Sequence, residues 1–208
     1  MGKCIVIAAM YEGEEAGFLA PGPDDLLICA DRGYERAVQA GLKPDLVVGD
    51  FDSMDRARAG NAETVVLPHL KDETDTWVCV AEGRRRGYSE FRVGGGLGGR
   101  LDHTLANLQT SADCALRGER LWLCDRRNRV TVLAPGRYAF PRMPDRYLSF
   151  LALSDRVTGV SLSGTRWMLE NAELTSRFPL GVSNEWLGDT AELSFQSGIL
   201  AVFFSADA

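Results

Sequence analysis

The 208-residue chain has little of what several common chemistries require. It carries two histidines, His69 and His103, and five cysteines, Cys4, Cys29, Cys79, Cys114 and Cys124, with no C-x-x-C pair. That leaves little support for a zinc site or a disulfide framework. Several of the cysteines sit inside apolar runs, which reads as buried, reduced thiols in a cytosolic protein. No apolar run approaches the length of a membrane span. The short run at residues 4–10 passes into acidic sequence without a cleavage site, so no secretory leader is expected. Positive charge is also scarce: 23 Lys and Arg stand against 29 Asp and Glu, a net charge of −6. This excludes nucleic acid or an anionic membrane as a partner bound through bulk charge. No G-x-S-x-G elbow occurs, which removes the serine-hydrolase reading. Internal repeats and low-complexity segments are absent too. What remains, with 45% hydrophobic and 25% charged residues, has the material for a packed core and is expected to be cytoplasmic. An acidic protein still binds a polyphosphate where metal ions or local donors neutralise it.

The two halves are patterned differently. Up to about Asp125, short apolar runs at residues 3–10, 25–30, 45–49, 64–67, 90–93 and 120–124 alternate with helical stretches at 34–40, 75–86 and 101–116. Runs that are apolar throughout suit parallel strands covered on both faces. The third helix is expected to bury a stripe of Leu101, Leu105, Leu108, Ala112, Ala115 and Leu116. The Arg84-Arg85-Arg86 run reads as a solvated last turn favoured by the helix dipole. From Arg126 onward, strand-like runs at 130–133, 147–153, 157–162, 191–195 and 199–204 are separated by turn signals such as Pro135-Gly136 and Ser163-Gly164. The expected fold is therefore α/β. An N-terminal, mostly parallel sheet with flanking helices, residues 1–125, precedes a C-terminal all-β sandwich, residues 126–208.

Ligands of open parallel sheets bind at the carboxyl ends of the strands. Four consecutive strands here are followed by acidic or glycine-rich loops. These are Asp31-Arg32-Gly33, Gly49-Asp50-Phe51-Asp52-Ser53, Lys71-Asp72-Glu73-Thr74-Asp75, and a glycine run from Gly94 to Gly99 that leads into Arg100-Leu101-Asp102-His103. On an extended segment Asp50 and Asp52 share a face, and hard oxygen ligands on one face suit magnesium, although Asp also simply begins turns. Thr74 or Asp75 reads equally as an N-cap, a role compatible with ligand binding, because a helix start offers free amides to phosphate. Gly94-x-Gly96-x-x-Gly99 matches a dinucleotide fingerprint, yet it follows the fifth strand rather than the first, and only Asp125 stands near the expected acidic position. Arg100 and Asp102 directly after the glycines suit phosphate better. His103 reads as a proton carrier or a structural residue. In the second half Trp167 reads as sandwich core. Ser183, Asn184 and Trp186 combine polar groups with an aromatic, as a flat heteroaromatic ligand requires.

Taken together, these motifs resemble the thiamine pyrophosphokinase family in order and approximate spacing across the whole chain. Two departures are Arg32, where a small residue is frequent, and Trp167, where tyrosine is common. The resemblance implies a magnesium-dependent transfer of pyrophosphate from ATP to the hydroxyl of thiamine, giving thiamine diphosphate and AMP. It further implies a homodimer, with thiamine lying between one subunit's catalytic domain and the other's sandwich. By the same resemblance Asp50, Asp52 and Asp75 hold the metal. Arg100, Lys71 and the amides around Gly98 and Gly99 grip phosphates. Asp31, Ser53, Asp72, Thr74 and Asp102 orient nucleotide or metal-bound water, and Ser183, Asn184 and Trp186 hold the aminopyrimidine. Two alternatives stand beside it: a dinucleotide-dependent oxidoreductase built on the Gly94–Gly99 loop, and a nucleotide-binding module without turnover.

Overall fold

In the computed structural model, which describes residues 2–13, 15–50, 60, 62–68 and 72–207, the apolar runs of the first half become a parallel sheet. Its strands are β1 (Cys4–Ile7), β2 (Leu26–Ala30), β3 (Leu46–Gly49), β4 (Glu63–Val66), β5 (Glu90–Gly94) and β6 (Arg120–Cys124). They lie in the order β4-β3-β2-β1-β5-β6. The pairings from β4 to β6 are all parallel, with registers such as Val6↔Ile28 and Val6↔Val93. Every residue of β1, β2 and β3 is buried, so these strands are apolar without alternation. β1 stops at Ile7 rather than running on to Met10. The Tyr11 N–H donates to the Ala8 carbonyl (3.1 Å), which turns the chain out of the sheet.

Among the described residues the connections carry the helices α1 (Ala16–Leu19), α2 (Gly33–Gln39), α3 (Asp75–Arg85) and α4 (Leu101–Leu116). The short α1 has no periodic signature in the sequence. α3 buries Thr76, Cys79, Val80 and Gly83, one stripe at i, i+3, i+4 and i+7, against β1, β2 and β3. Burying Val80 alone is worth about 1.5–3 kcal/mol. The arginines at its end differ from expectation, since only Arg85 is mainly solvated. Arg84 donates twice to Glu119 (2.6 and 2.8 Å), and Arg86 reaches both Glu82 and Glu63. These pairs fasten the helix end to the turn before β6 and to the start of β4.

The buried face of α4 is also not the leucine stripe. Leu101, Leu105 and Leu116 are 77%, 62% and 69% exposed, whereas Asn107, Thr110, Ser111 and Cys114 are buried. That set has the same i, i+3, i+4, i+7 spacing, and its polar members are satisfied locally. Thr110 Oγ1 donates to the Ala106 carbonyl and Ser111 Oγ accepts from Val132 N–H. All five cysteines are buried and outside any disulfide, and burial pushes the Cys4 thiol up to about 12.

The strands of the second half pair antiparallel in two groups. One contains β7 (Asn128–Leu133), β9 (Tyr147–Ala152) and β13 (Leu200–Ser205), with β13 between the others. The second contains β8 (Gly136–Pro141), β10 (Arg156–Ser163), β11 (Leu169–Thr175) and β12 (Thr190–Phe195), in the order β11-β10-β12-β8. Phe140 of β8 meets Phe204 of β13 edge to face at 5.3 Å between centroids, which joins the inner faces as in a sandwich. β8 and β11, not expected from the sequence, are the edges of their sheet. An edge strand needs no continuous apolar run, and Pro141 ends β8 without breaking a central ladder. The chain divides into two compact units, Met1–Thr110 with Glu119–Arg126, and Ser111–Gly118 with Arg127–Ala208. Among the described residues no helix is long and apolar enough to cross a membrane.

Candidate active site

The chain runs outward from β1 through β2, β3 and β4, then returns to place β5 on the opposite side of β1. The switch point of the sheet therefore lies between β1 and β5, where the loops leaving the strand ends diverge and leave a crevice. A cleft of about 250 Å³ occupies that place. Ala8, Ala9 and Met10 border it from the β1 loop, Asp31 from β2, Thr74 and Asp75 from the start of α3, and Gly95, Gly96, Gly98 and Arg100 from the β5 loop.

Each group has a local reason for its position. Asp31 adopts φ 43°, a left-handed conformation that Asp tolerates better than most residues. Its N–H donates to the Val48 carbonyl (2.9 Å) and its carbonyl accepts from Tyr34 N–H (3.0 Å). The carboxylate lies over Gly49, where a methyl group would come within 1.7 Å of Asp31 Oδ1. Glycine at the end of β3 is thus the cradle for that carboxylate, and half-buried Asp50 follows it. Thr74 is the N-cap of α3, its Oγ1 accepting from Trp77 N–H at 3.2 Å. Capping leaves Asp75 in the first turn, where the helix dipole favours its negative charge. Gly95 has φ 72°, and a methyl there would lie 2.1 Å from Tyr11 N, so only glycine lets the β5 loop pass the β1 loop.

Arg100 is exposed and donates to Asp102 from Nε (3.1 Å) and Nη2 (2.5 Å). Bonds from this guanidinium hold the Asp102 carboxyl below its ordinary range. Asp102 Oδ1 also accepts from His103 N–H (2.9 Å), which fixes the first turn of α4.

Of the expected site residues, Asp31, Thr74, Asp75, Gly98 and Arg100 meet at the cleft. Asp50 follows β3, next to the Gly49 that meets the Asp31 carboxylate, Asp72 is exposed in the turn before α3, and Gly99 packs against Met10. Asp52, Ser53 and Lys71 lie outside the described residues. His103 borders the cleft as well. Asn107, which no motif marked, does so too. It is 5% exposed and its Nδ2 donates to the Gly96 carbonyl at 2.7 Å, so it holds the glycine loop in place. An Asn107→Ala protein is expected to raise the KM for a nucleotide substrate three- to tenfold, with kcat within about twofold, in steady-state kinetics; one lost buried bond is worth about 1 kcal/mol.

Among the described residues no three acidic, histidine or cysteine side chains already converge as a metal cluster. Asp31, Asp50 and Asp75 nevertheless present hard oxygens from three neighbouring segments. Magnesium takes one or two carboxylates and completes its shell with phosphates and water, so this donor set fits it.

In the second unit Asn184 is 3% exposed and fully engaged. Its Nδ2 donates to the Trp167 carbonyl (2.7 Å) and Thr165 Oγ1 (3.2 Å), and its Oδ1 accepts from Trp167 N–H (3.0 Å) and Glu185 N–H (2.9 Å). Trp167 is therefore not core. Its backbone is pinned on both sides and the residue is 53% exposed, with the Arg166 guanidinium 5.1 Å from the ring centroid. Trp186 donates from Nε1 to the Arg146 carbonyl (2.8 Å) and stacks on Phe204. Ser183 is exposed at φ 59° and its N–H donates to Ser149 Oγ (2.9 Å). An Asn184→Ala change strands several of these partners, at a cost of about 1–3 kcal/mol or more, measurable as a lower denaturant midpoint.

Two family models match the chain. One described as thiamin pyrophosphokinase, catalytic domain, covers residues 23–123, and one described as thiamin pyrophosphokinase, vitamin B1 binding domain, covers residues 138–200. A thiamine pyrophosphokinase of Bacillus subtilis (strain 168) is 30% identical over 188 residues, 88% of each chain. Among solved structures, the thiamine pyrophosphokinase of Bacillus subtilis superposes with a TM-score of 0.90 at 27% identity, over 100% of both chains. A thiamin pyrophosphokinase family protein from Enterococcus faecalis does so at 0.83 and 30% identity, again over 100% of both.

Proposed function

Because this chain belongs to the thiamin pyrophosphokinase family, we propose that it transfers the terminal pyrophosphoryl group of ATP to the hydroxyl of thiamine. The products are thiamine diphosphate and AMP. The observation that carries this reading is the cleft at the switch point, where a glycine loop, a helix start, two aspartates and Arg100 meet.

In the reaction the thiamine hydroxyl oxygen forms a bond to the β-phosphorus. The bond from that phosphorus to the oxygen bridging it to the α-phosphorus breaks, and AMP leaves with the electron pair. The hydroxyl proton is released. Amides of the β5 loop and of the first turn of α3 bind phosphate oxygens, as helix starts do. The Arg100 guanidinium leaves Asp102 for the polyphosphate, a stronger bidentate acceptor, and stabilises charge as it develops. Asp75 and Asp50, with Asp52 beyond the described residues and Asp31 alongside, would hold magnesium. When bound, the metal would neutralise charge on the phosphates and on the leaving group. Lys71 and Ser53 keep the phosphate-binding and orienting roles the resemblance implies.

We assign this catalytic role to residues 1–125 and thiamine binding, with dimerisation, to residues 126–208. The match of residues 138–200 to a vitamin B1 binding domain supports the latter. For the aminopyrimidine, the exposed Trp167 ring and Ser183 form the contact face, with Asn184 and Trp186 holding that face in shape. The dinucleotide reading loses its support, since Gly94, Gly96 and Gly99 are explained by packing on Leu19 and Tyr11, on Val93 and on Met10. We further propose a cytoplasmic homodimer, testable by size-exclusion chromatography with light scattering. The activity test is direct. With magnesium, ATP and thiamine, chromatography should give thiamine diphosphate and AMP in equal amounts, and formation of ADP alone would refute the reading.

A further inference from the structure

Beside the cleft, and sharing Ala9 and Met10 with it, lies a second cavity of about 390 Å³ walled by Arg32, Glu35, Arg36 and Gln39. These four residues fall at i, i+3, i+4 and i+7, so they form one face along α2. The opposite face, Gly33 and Ala37, is buried against the sheet. Neither Arg32 nor Arg36 enters an ion pair among the described residues.

We propose that this side pocket receives the nucleoside end of the ATP whose phosphates lie in the cleft, so that Arg32 and Arg36 set nucleotide affinity and choice. The inference rests on the ATP-dependent reading above. Size argues for it first. At about 250 Å³ the cleft alone falls below the roughly 300–1,000 Å³ of small-molecule sites, and the side pocket's 390 Å³ brings the pair within that range. Chemistry argues for it second. Met10 offers an apolar floor, two planar guanidinium groups can stack on a purine face, and Glu35 and Gln39 can hydrogen-bond hydroxyls or a ring edge. A carboxylate in the same wall opposes a further phosphate, whereas it accepts bonds from a ribose. The phosphate-binding amides and Arg100 belong to the adjoining cleft.

The test uses the intact enzyme with Arg32→Ala, Arg36→Ala and the double variant. Each single change is expected to raise the KM for ATP about three- to tenfold, with kcat within about twofold. Inhibition by adenosine should weaken in parallel, and the preference for ATP over GTP and CTP should shift. Inhibition by inorganic tripolyphosphate should not change, because it occupies the cleft alone; that also shows the variants to be folded. Tripolyphosphate inhibition that weakens as much as ATP binding would mean the arginines grip phosphate, and the inference would fall. Unchanged KM and unchanged base preference would likewise overturn it. A wild-type protein that makes no AMP would sink the underlying reading and this inference with it.

Discussion

An Asp75→Asn protein is expected to lose about 10²- to 10³-fold in kcat/KM while remaining folded. The substitution keeps size and one acceptor oxygen but removes the charge. It therefore separates electrostatic function from packing. Thr74, not Asp75, supplies the cap of α3, so the helix keeps its start. The loss in stability should stay within the roughly 0.3–1 kcal/mol of an acidic group near a helix N-terminus. The catalytic loss is larger because a preorganised charge at a phosphoryl centre contributes about 3–4 kcal/mol to the transition state. Steady-state kinetics across a magnesium titration provide the check. A higher magnesium requirement together with a lower kcat supports the metal-holding role, whereas wild-type turnover at every magnesium concentration removes it.

The second large effect is expected at Arg100. Arg100→Ala should lower kcat by about 10²- to 10³-fold, as loss of a donor to developing charge does in other enzymes. Arg100→Lys should recover no more than about tenfold of that loss. The reason is geometric: the guanidinium meets Asp102 through two nitrogens, and an ammonium group cannot reproduce a planar fork. Because the Arg100 and Asp102 side chains are 73% and 63% exposed, neither change should move the thermal midpoint. Should Arg100→Lys match the wild type, a bidentate phosphate contact is wrong and a point charge suffices.

These expectations draw on two sources. The alternation of apolar runs with helical stretches was legible because parallel strands covered on both faces leave continuous hydrophobic runs. Acidic and glycine-rich loops after those runs were legible because ligands gather at strand ends. Edge strands β8 and β11 were not, since half-exposed strands need no apolar run. The buried face of α4 was read wrongly from its leucines. Its true inner residues, Asn107, Thr110, Ser111 and Cys114, carry the same helical spacing in small and polar side chains, and that pattern is the signal that would have revealed Asn107. A large aromatic such as Trp167 usually packs in a core; here the Asn184 bonds to its backbone hold it outward instead.

The sequence by itself determined which segments are strands of a parallel sheet and which loops carry carboxylates, glycines and an arginine. Those properties are local, set by side-chain burial and by the few residue types that bind phosphate and metal. Which loops face one another was decided only by the tertiary structure. Placing β5 beside β1, and not beside β4, brings the glycine run and Arg100 against the unremarked residues Ala8, Ala9 and Met10. That adjacency depends on pairing between strands more than 80 residues apart, such as Val6 with Val93, and long-range pairing leaves no mark on neighbouring residues.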